Sequence, residues 1–274
     1  MQLRKAVRSA AKLRIGLSAT SGSGKSYGAL LIAKGLCGDL SKVAIIDTEN
    51  GSADLYAHLG NYNVLTLNVF SPEKYIEAID TCEKAGMEVI IIDSITHEWN
   101  HLLEIHGAMS GNSFTNWAYI TPRHERFKNK ILQSSCHIIT TVRRKTEYAI
   151  DQSSGKTKIE KVGTKEQSRE GWEYELTVNL EIDENHKAKA SKDRTGIFVD
   201  RDLFIITEED GKTLREWSLG DSSETEASLQ IALVEINNSS SKEELTIVYT
   251  KFKALQENPA FIDAVKNKNA TFVA

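Results

Sequence analysis

Residues 18–27, with the sequence SATSGSGKSY, have the composition of a loop that binds phosphate groups. In such a loop, backbone N–H groups at the start of a helix converge on phosphate oxygens, and glycines are needed where φ is positive or the ligand passes close. Gly22 and Gly24 take those places. Lys25 is expected to contact the β- and γ-phosphates, and the Ser26 hydroxyl is expected to hold Mg²⁺. The segment therefore predicts a site for ATP and Mg²⁺ made of Thr20, Ser21, Gly22, Ser23, Gly24, Lys25, Ser26 and Tyr27.

The surroundings of this segment favour the same interpretation. It follows a predicted strand at 13–18 and opens a predicted helix, which is the context that phosphate loops require. Ala19 stands where the usual pattern starts with glycine, but that position needs only a small residue leaving the strand. The alternative is a chance turn rich in glycine and serine.

Two other apolar runs end in carboxylates. EVIIIDS places Asp93 at the C-terminal tip of a strand, beside the phosphate loop, where it is predicted to hold Mg²⁺ through water. VAIIDTEN places Asp47 and Glu49 at the tip of another strand, where both are expected to face the γ-phosphate. Glu49 is the candidate that polarises the attacking water. The alternatives are a helix N-cap for Asp93 and a solvent-exposed loop acid for Glu49.

The composition of the chain limits the classes of function that it can have. The chain has 274 residues with a net charge of −4, which gives no global attraction to nucleic acid, so such binding requires a local basic patch. Cys37, Cys82 and Cys136 lie far apart, which excludes a disulfide framework and a zinc knuckle and suggests a reducing cytoplasm. The most apolar run, at 89–92, is too short to span a bilayer, so a cytoplasmic protein without membrane contact is expected.

Short apolar runs alternate with helical stretches in the first two thirds of the chain. This pattern predicts an α/β fold with a mainly parallel sheet flanked by helices, and Ser71 with Pro72 begins one helix. Hairpin-like segments after residue 142 are expected to extend the sheet in antiparallel fashion. The predicted strands of the parallel part lie at 13–18, 42–47, 63–69, 88–93 and 137–142.

The composition changes near residue 220. Residues 1–219 are predicted to form the core domain, and residues 220–274 a polar linker followed by a small helical tail. Ser241 and Glu244 have the spacing of a capping box at the start of one tail helix. The tail is either a docking module for a recombination partner or a helical cap on the core.

The motifs SGSGKS, AIIDTENGSADLY, IIIDS and HIITTVRRK occur in this order and resemble the core of RecA-type ATPases. More closely, they resemble phage and prophage ATPases labelled AAA-family within the RecA-like superfamily, over about residues 1–217. The resemblance implies that Glu49 is the catalytic glutamate and that Tyr56 stacks on adenine. It also implies that Thr141 senses the γ-phosphate, at a position that is often glutamine and from which threonine reaches less far toward a DNA-binding loop.

The segment ASKDRTG, residues 190–196, resembles the Lys-x-Arg finger of RecA-like ring ATPases. Lys192 and Arg194 are two apart on a predicted strand and therefore share a face. The resemblance implies a homo-oligomer, a ring or filament, in which both cations act catalytically on a neighbour's nucleotide. The alternative is an ordinary surface ion pair.

Residues 143–169 are rich in lysine and arginine. The resemblance implies that this loop holds single-stranded DNA, and phosphate contacts from its cations would be weakened by salt. A solvated charged hairpin is equally favoured. The candidate nucleic-acid contacts are Arg143, Arg144, Lys145, Lys156 and Lys158.

HEWNH at 97–101 matches the zinc-peptidase signature. It directly follows the strand that ends in Asp93, and Glu104 stands where the extended pattern has glycine, so packing residues are favoured over a zinc site. The motifs predict a Mg²⁺-dependent ATPase, and the resemblance to phage ATPases implies that it acts on single-stranded DNA in phage recombination or annealing. The alternative is a nucleotide-gated assembly protein that recruits a partner through its tail.

Overall fold

The computed structural model describes residues 11–151 and 158–272, with the backbone alone for residues 146–151, 158–164 and 221–227. Its strands are β1 Arg14–Ala19, β2 Val43–Asp47, β3 Asn63–Thr66, β4 Val89–Asp93, β5 His137–Asp151, β6 Lys158–Glu166, β7 Val178–Ile182 and β8 Ala188–Asp193. Its helices are α1 Lys25–Cys37, α2 Pro72–Lys84, α3 Thr96–Ala108, α4 Ser113–Gln133, α5 Trp172–Glu175, α6 Glu208–Leu219, α7 Asp221–Asn238, α8 Lys242–Lys251 and α9 Pro259–Thr271. Short 3₁₀ helices lie at Leu40–Lys42, Ser52–Leu59 and Lys253–Leu255.

The strands form one sheet in the order β3-β2-β4-β5-β1-β7-β8, with β6 paired to the outer part of β5. The pairs from β3 to β7 are parallel, whereas β5–β6 and β7–β8 are antiparallel. The predicted α/β class with a mainly parallel sheet is confirmed. The predicted antiparallel extension is present in the β5–β6 and β7–β8 pairs, whereas β7 itself runs parallel to β1, because β6 has already reversed the direction of the chain.

Burial explains why the central strands are continuous apolar runs. Strands β1, β2 and β4 are buried along their whole length, as expected for parallel strands covered on both faces. Helices α2 and α4 cover one face, where Tyr75 and Phe127 pack against Ile90 and Ile92. The carboxyl ends of β1, β2, β4 and β5 meet at one edge of this sheet, and the functional residues lie there.

Local signals in the sequence operate as expected at α2. The Ser71 hydroxyl accepts a hydrogen bond from the Lys74 N–H (3.4 Å), and Pro72 occupies the first turn. Strand β5 is longer than the predicted strand at 137–142, because its outer part, from Arg144 onward, pairs with β6 in a hairpin beyond the parallel sheet.

Contacts divide the chain into two units, residues 12–215 and residues 216–272 together with Ala11. In the second unit, α7, α8 and α9 enclose their own small core around Ile236, Leu245 and Phe261. The predicted linker at the start of this region is instead helical from Asp221 onward, since Asp, Ser and Glu are all tolerated in the first turns of a helix.

The capping box at α8 is present in a modified form. Ser241 Oγ accepts the Glu244 N–H (3.2 Å), and Glu244 Oε2 accepts the N–H of Ser240 (2.6 Å), one residue earlier than in the standard box. Within the described ranges, no helix is long and apolar enough to cross a membrane.

Candidate nucleotide site

The phosphate loop connects β1 to α1, as predicted. Gly22 and Gly24 have φ values of 82° and 91°, in the left-handed region that glycine enters without a steric penalty. The hydroxyls of Thr20 and Ser23 are 2.8 Å apart, and the Ser23 N–H donates to the Thr20 carbonyl (3.4 Å). These bonds close the turn, and Ser21 and Tyr27 line the same cleft as the loop glycines.

Lys25 is buried within this loop. Its Nζ donates to the carbonyls of Ala19 (3.3 Å) and Thr20 (3.0 Å), which are the last residue of β1 and the first of the loop. Burial lowers the pKa of Lys25, and the nearby carboxylates of Asp93 and Glu49 oppose that shift. The ammonium group is therefore held by two backbone carbonyls, with the charges of Asp93 and Glu49 acting on it.

Asp93 is the centre of the buried polar contacts at the end of β4. Its side chain is fully enclosed, with 2% of the residue exposed. Ser26 Oγ donates to Asp93 Oδ2, and Thr141 Oγ1 donates to Asp93 Oδ1 (2.5 Å). Burial raises the pKa of Asp93, and the two hydroxyl hydrogen bonds oppose the shift. Ser26 and Asp93, the predicted metal-side pair, are thus in direct contact, and Thr141 is bonded to the same carboxylate.

Asp47 shapes the loop that carries Glu49. Its Oδ1 accepts the N–H of Glu49 and its Oδ2 accepts the N–H of Gly51, both at 2.7 Å, and the residue is fully buried. Both carboxylate oxygens are therefore used by the backbone. The expectation that Asp47 faces the γ-phosphate is wrong, because the tight turn after β2 needs an acceptor for its N–H groups.

Glu49 forms an ion pair with Arg143. Arg143 Nε and Nη2 lie 2.9 Å and 2.8 Å from Glu49 Oε1, with the two side chains 37% and 22% exposed. The sequence placed Arg143 with the candidate nucleic-acid residues. The sequence signal for the contact with Glu49 is the alternation along β5, since Thr141 and Arg143 are two apart and share a face.

A cleft of about 560 Å³ lies over the phosphate loop, a volume typical of sites for small ligands. Glu49 and Tyr56 line it, and the Tyr27 and Tyr56 rings are 5.8 Å apart in an edge-to-face contact. Sequence reasoning missed four further lining residues, because they come from the end of β7, the β7–β8 turn and the segment before α6, which carry no motif. These residues are Ile182, His186, Ile205 and Ile206.

Lys192 and Arg194 lie elsewhere, on β8 and just after it. Both side chains donate to the backbone carbonyl of Tyr174, with Arg194 Nη2 at 3.1 Å. In the part of the chain that the structure describes, neither side chain lines the cleft over the phosphate loop.

The other basic residues of the predicted DNA loop are placed in part. Arg144 Nη1 is 2.6 Å from Glu181 Oε2, and Lys145 is exposed. Lys158 starts β6, of which the backbone is described there, and Lys156 lies outside the described residues.

The HEWNH segment forms the first turns of α3. Glu98 is buried and lies 3.1 Å from His124 Nδ1. His97 Nδ1 is 2.7 Å from Thr48 Oγ1, and its ring stacks on Phe70. Among the side chains that the structure describes, no group of three or more His, Cys, Asp and Glu has a metal-binding arrangement. Packing and hydrogen bonding account for this segment.

Comparison with known families gives one match. A family model described as "AAA domain" matches residues 11–206, which is more than half of the chain. The matched range contains the phosphate loop, Asp93, Glu49 and the whole lining of the cleft. Comparison with curated proteins found no match.

Proposed function

The chain belongs to the AAA domain family of nucleotide-binding P-loop proteins, and on that premise we propose that it hydrolyses ATP in the cleft over its phosphate loop. The convergence of Lys25, Ser26 and Asp93 beside Glu49 carries this proposal. Binding alone needs only the phosphate loop. Hydrolysis also needs a carboxylate beside the metal and a group that orients water, and Asp93 and Glu49 are the residues proposed for these two roles.

The contact between Ser26 and Asp93 fits a Mg²⁺ site. Hydroxyl and carboxylate oxygens are the hard donors that this ion prefers, and a cation would favour the charged form of a carboxyl whose pKa burial has raised. Ser26 and Asp93 would hold the ion, Asp93 through water. When bound, Mg²⁺ neutralises charge on the β- and γ-phosphates.

Each group in the cleft has its own role in the proposed hydrolysis. The backbone N–H groups from Gly22 to Ser26 bind phosphate oxygens, and Lys25 exchanges its carbonyl contacts for the β- and γ-phosphates. Glu49 accepts a proton from the water that attacks the γ-phosphorus, as the bond to the leaving β-phosphate oxygen breaks. Tyr56 stacks on the base, and Thr141 reports on the γ-phosphate through Asp93.

The finer proposal is that hydrolysis serves binding of single-stranded DNA in phage recombination or annealing by a ring or filament of this chain. The resemblance to phage ATPases and the cations around the β5–β6 hairpin, among them Arg144 and Lys145, support it. Lys192 and Arg194 act on the nucleotide of a neighbouring copy in this arrangement.

A second candidate is a nucleotide-dependent assembly protein that recruits a partner protein through residues 216–272 and binds no nucleic acid. Ile231, Val234 and Ile247 are 55%, 58% and 65% exposed on helices that otherwise enclose their own core, and these side chains are the candidate contacts for the partner. Replacing these three by lysine is expected to abolish partner capture and to leave ATP hydrolysis unchanged. Capture that persists overturns this candidate.

The test is ATP hydrolysis with and without single-stranded DNA over a series of protein concentrations, with Lys25→Ala as the control. We expect stimulation by DNA, activity rising faster than linearly with protein, and DNA binding that falls steeply with salt. No DNA binding at low salt overturns the DNA role. No hydrolysis by the wild-type chain at any concentration overturns the proposed function itself.

A further inference from the structure

The guanidinium of Arg143 makes its two donor contacts with one oxygen of Glu49. Nε and Nη2 lie 2.9 Å and 2.8 Å from Oε1. Both contacts go to the same oxygen, so they fix the position of Oε1. Arg143 therefore anchors one oxygen of the Glu49 carboxylate beside the cleft that Glu49 lines.

The backbone of Arg143 is itself fixed on both sides. Its N–H donates to Thr96 Oγ1 (2.9 Å), at the first residue of α3, and its carbonyl accepts the N–H of Gln167 (2.8 Å), just after β6. Arg143 is also paired with Ala19, the last residue of β1 before the phosphate loop. The guanidinium thus extends from a backbone position that three neighbouring segments hold.

Other charged and titratable groups lie near the ion pair of Arg143 and Glu49. The charges of Asp93, Glu49 and Arg143 all act on the Lys25 ammonium, and those of Arg143 and Glu49 both act on the His97 ring. The ion pair therefore lies close to the lysine that contacts the phosphates.

We propose that Arg143 is a positioning residue for ATP hydrolysis, which orients Glu49 so that the carboxylate accepts a proton from the attacking water. Catalytic bases are commonly oriented by a third group in this way, and a small misplacement of a catalytic group lowers the rate about 100-fold. This role rests on the proposed hydrolysis of ATP and adds a residue to it. Arg143 also joins the site to the β5–β6 hairpin, whose first pair is Arg144 with Glu166.

The test compares steady-state hydrolysis and equilibrium ATP binding in Arg143→Ala, Arg143→Lys and wild type. In Arg143→Ala we expect kcat to fall about 10- to 100-fold, with the KM for ATP and the affinity for ATP within about twofold of wild type. Arg143→Lys keeps the charge without the planar pair of donors, so it is expected to recover part of kcat.

A matched control removes an arginine that has no place in the site. Arg123 pairs with Glu73 through Nε (2.9 Å) and Nη2 (2.7 Å) on the surface formed by α2 and α4. Arg123→Ala is expected to leave kcat unchanged, whatever it does to thermal stability. A combined Glu49→Gln, Arg143→Ala variant is expected to be no slower than Glu49→Gln, because the arginine acts through the glutamate.

The outcomes separate this role from the proposed function. A wild-type chain that binds ATP without hydrolysing it overturns both. A hydrolysing chain in which Arg143→Ala matches wild type, or in which its loss multiplies that of Glu49→Gln, overturns the positioning role alone.

Discussion

Lys192 and Arg194 donate to the same acceptor, the backbone carbonyl oxygen of Tyr174. The shared acceptor shows that the two cations converge on one point, as a spacing of two residues in an extended segment predicts. Burial lowers the pKa of Lys192, and the charge of Arg194 acts in the same direction. Neither side chain is among the described residues that line the cleft of its own chain.

If the two cations act on a neighbour, Arg194→Ala is expected to lower kcat about 1,000-fold. A 1:1 mixture of Arg194→Ala with Lys25→Ala is expected to recover activity, because mixed oligomers contain sites with an intact loop and an intact finger. The measurement is turnover by each variant and by the mixture. A mixture as inactive as its components, or an Arg194→Ala variant that loses thermal stability but keeps its kcat, contradicts this role.

Tyr56 lines the cleft and contacts the ring of Tyr27. If its ring stacks on the base, Tyr56→Ala is expected to raise the KM for ATP about 10-fold, since stacking of a base on an aromatic ring contributes about 1–3 kcal/mol. Tyr56→Phe keeps the ring and is expected to keep the wild-type KM. Steady-state kinetics over a range of ATP concentrations decides the matter, and an unchanged KM in Tyr56→Ala would refute stacking.

Helices α1 and α6 approach closely at two glycines. A Cβ on Gly35 would lie 2.1 Å from the carbonyl oxygen of Glu208, and one on Gly211 would lie 2.3 Å from that of Ile32. Gly35→Ala is therefore expected to lower the free energy of unfolding by about 1–3 kcal/mol. A Cβ on Gly107 in α3 would have no atom within 4 Å. Gly107→Ala is therefore expected to raise the free energy of unfolding by about 0.5–1 kcal/mol. Urea unfolding of Gly35→Ala and Gly107→Ala tests these two predictions. Equal free energies of unfolding in the two variants would contradict them.

His137 makes the folded state sensitive to acid. The Leu13 N–H donates to its Nδ1 (3.1 Å), which requires an unprotonated ring nitrogen, and burial with the charges of Lys12 and Arg14 lowers the pKa of His137 to about 4. The unfolded chain, with a pKa near 6.5, binds more protons between these values. The contribution of unprotonated His137 to the stability of the folded state is therefore complete above pH 6.5 and is lost as the pH falls toward 4.

From pH 7.5 to pH 5, this one group is expected to lower the free energy of unfolding by about 2 kcal/mol. The comparison is urea unfolding of wild type and His137→Gln at the two pH values, with a smaller decrease expected in the variant. If the free energy of unfolding decreases equally in both proteins, the pH dependence comes from groups other than His137.

The parts of the site that the sequence predicts are those encoded by contiguous residues. The phosphate loop, the apolar strands ending in Asp47 and Asp93, and the helix start at Ser71 each depend on neighbours within a few positions. Local spacing decides such features, because backbone conformation and strand alternation are local properties. The mainly parallel sheet follows from the same alternation of strand and helix.

Features that depend on contacts between distant segments could not be predicted from local spacing. Arg143 forms its ion pair with a glutamate 94 positions away along the chain. The parallel direction of β7 depends on the return of the chain through β6, which the alternation of residues in β7 does not encode. Ile205 and His186 reach the cleft only through the order of strands in the sheet.

The central claim, that this cleft hydrolyses ATP with Glu49 as the base, is tested most directly by Glu49→Gln. ATP binding and ATP turnover are measured on the same preparation of this variant and of wild type. We expect Glu49→Gln to bind ATP with wild-type affinity and to turn it over about 100-fold or more slowly, because the amide cannot accept the proton from water. Turnover at the wild-type rate in Glu49→Gln would contradict the account.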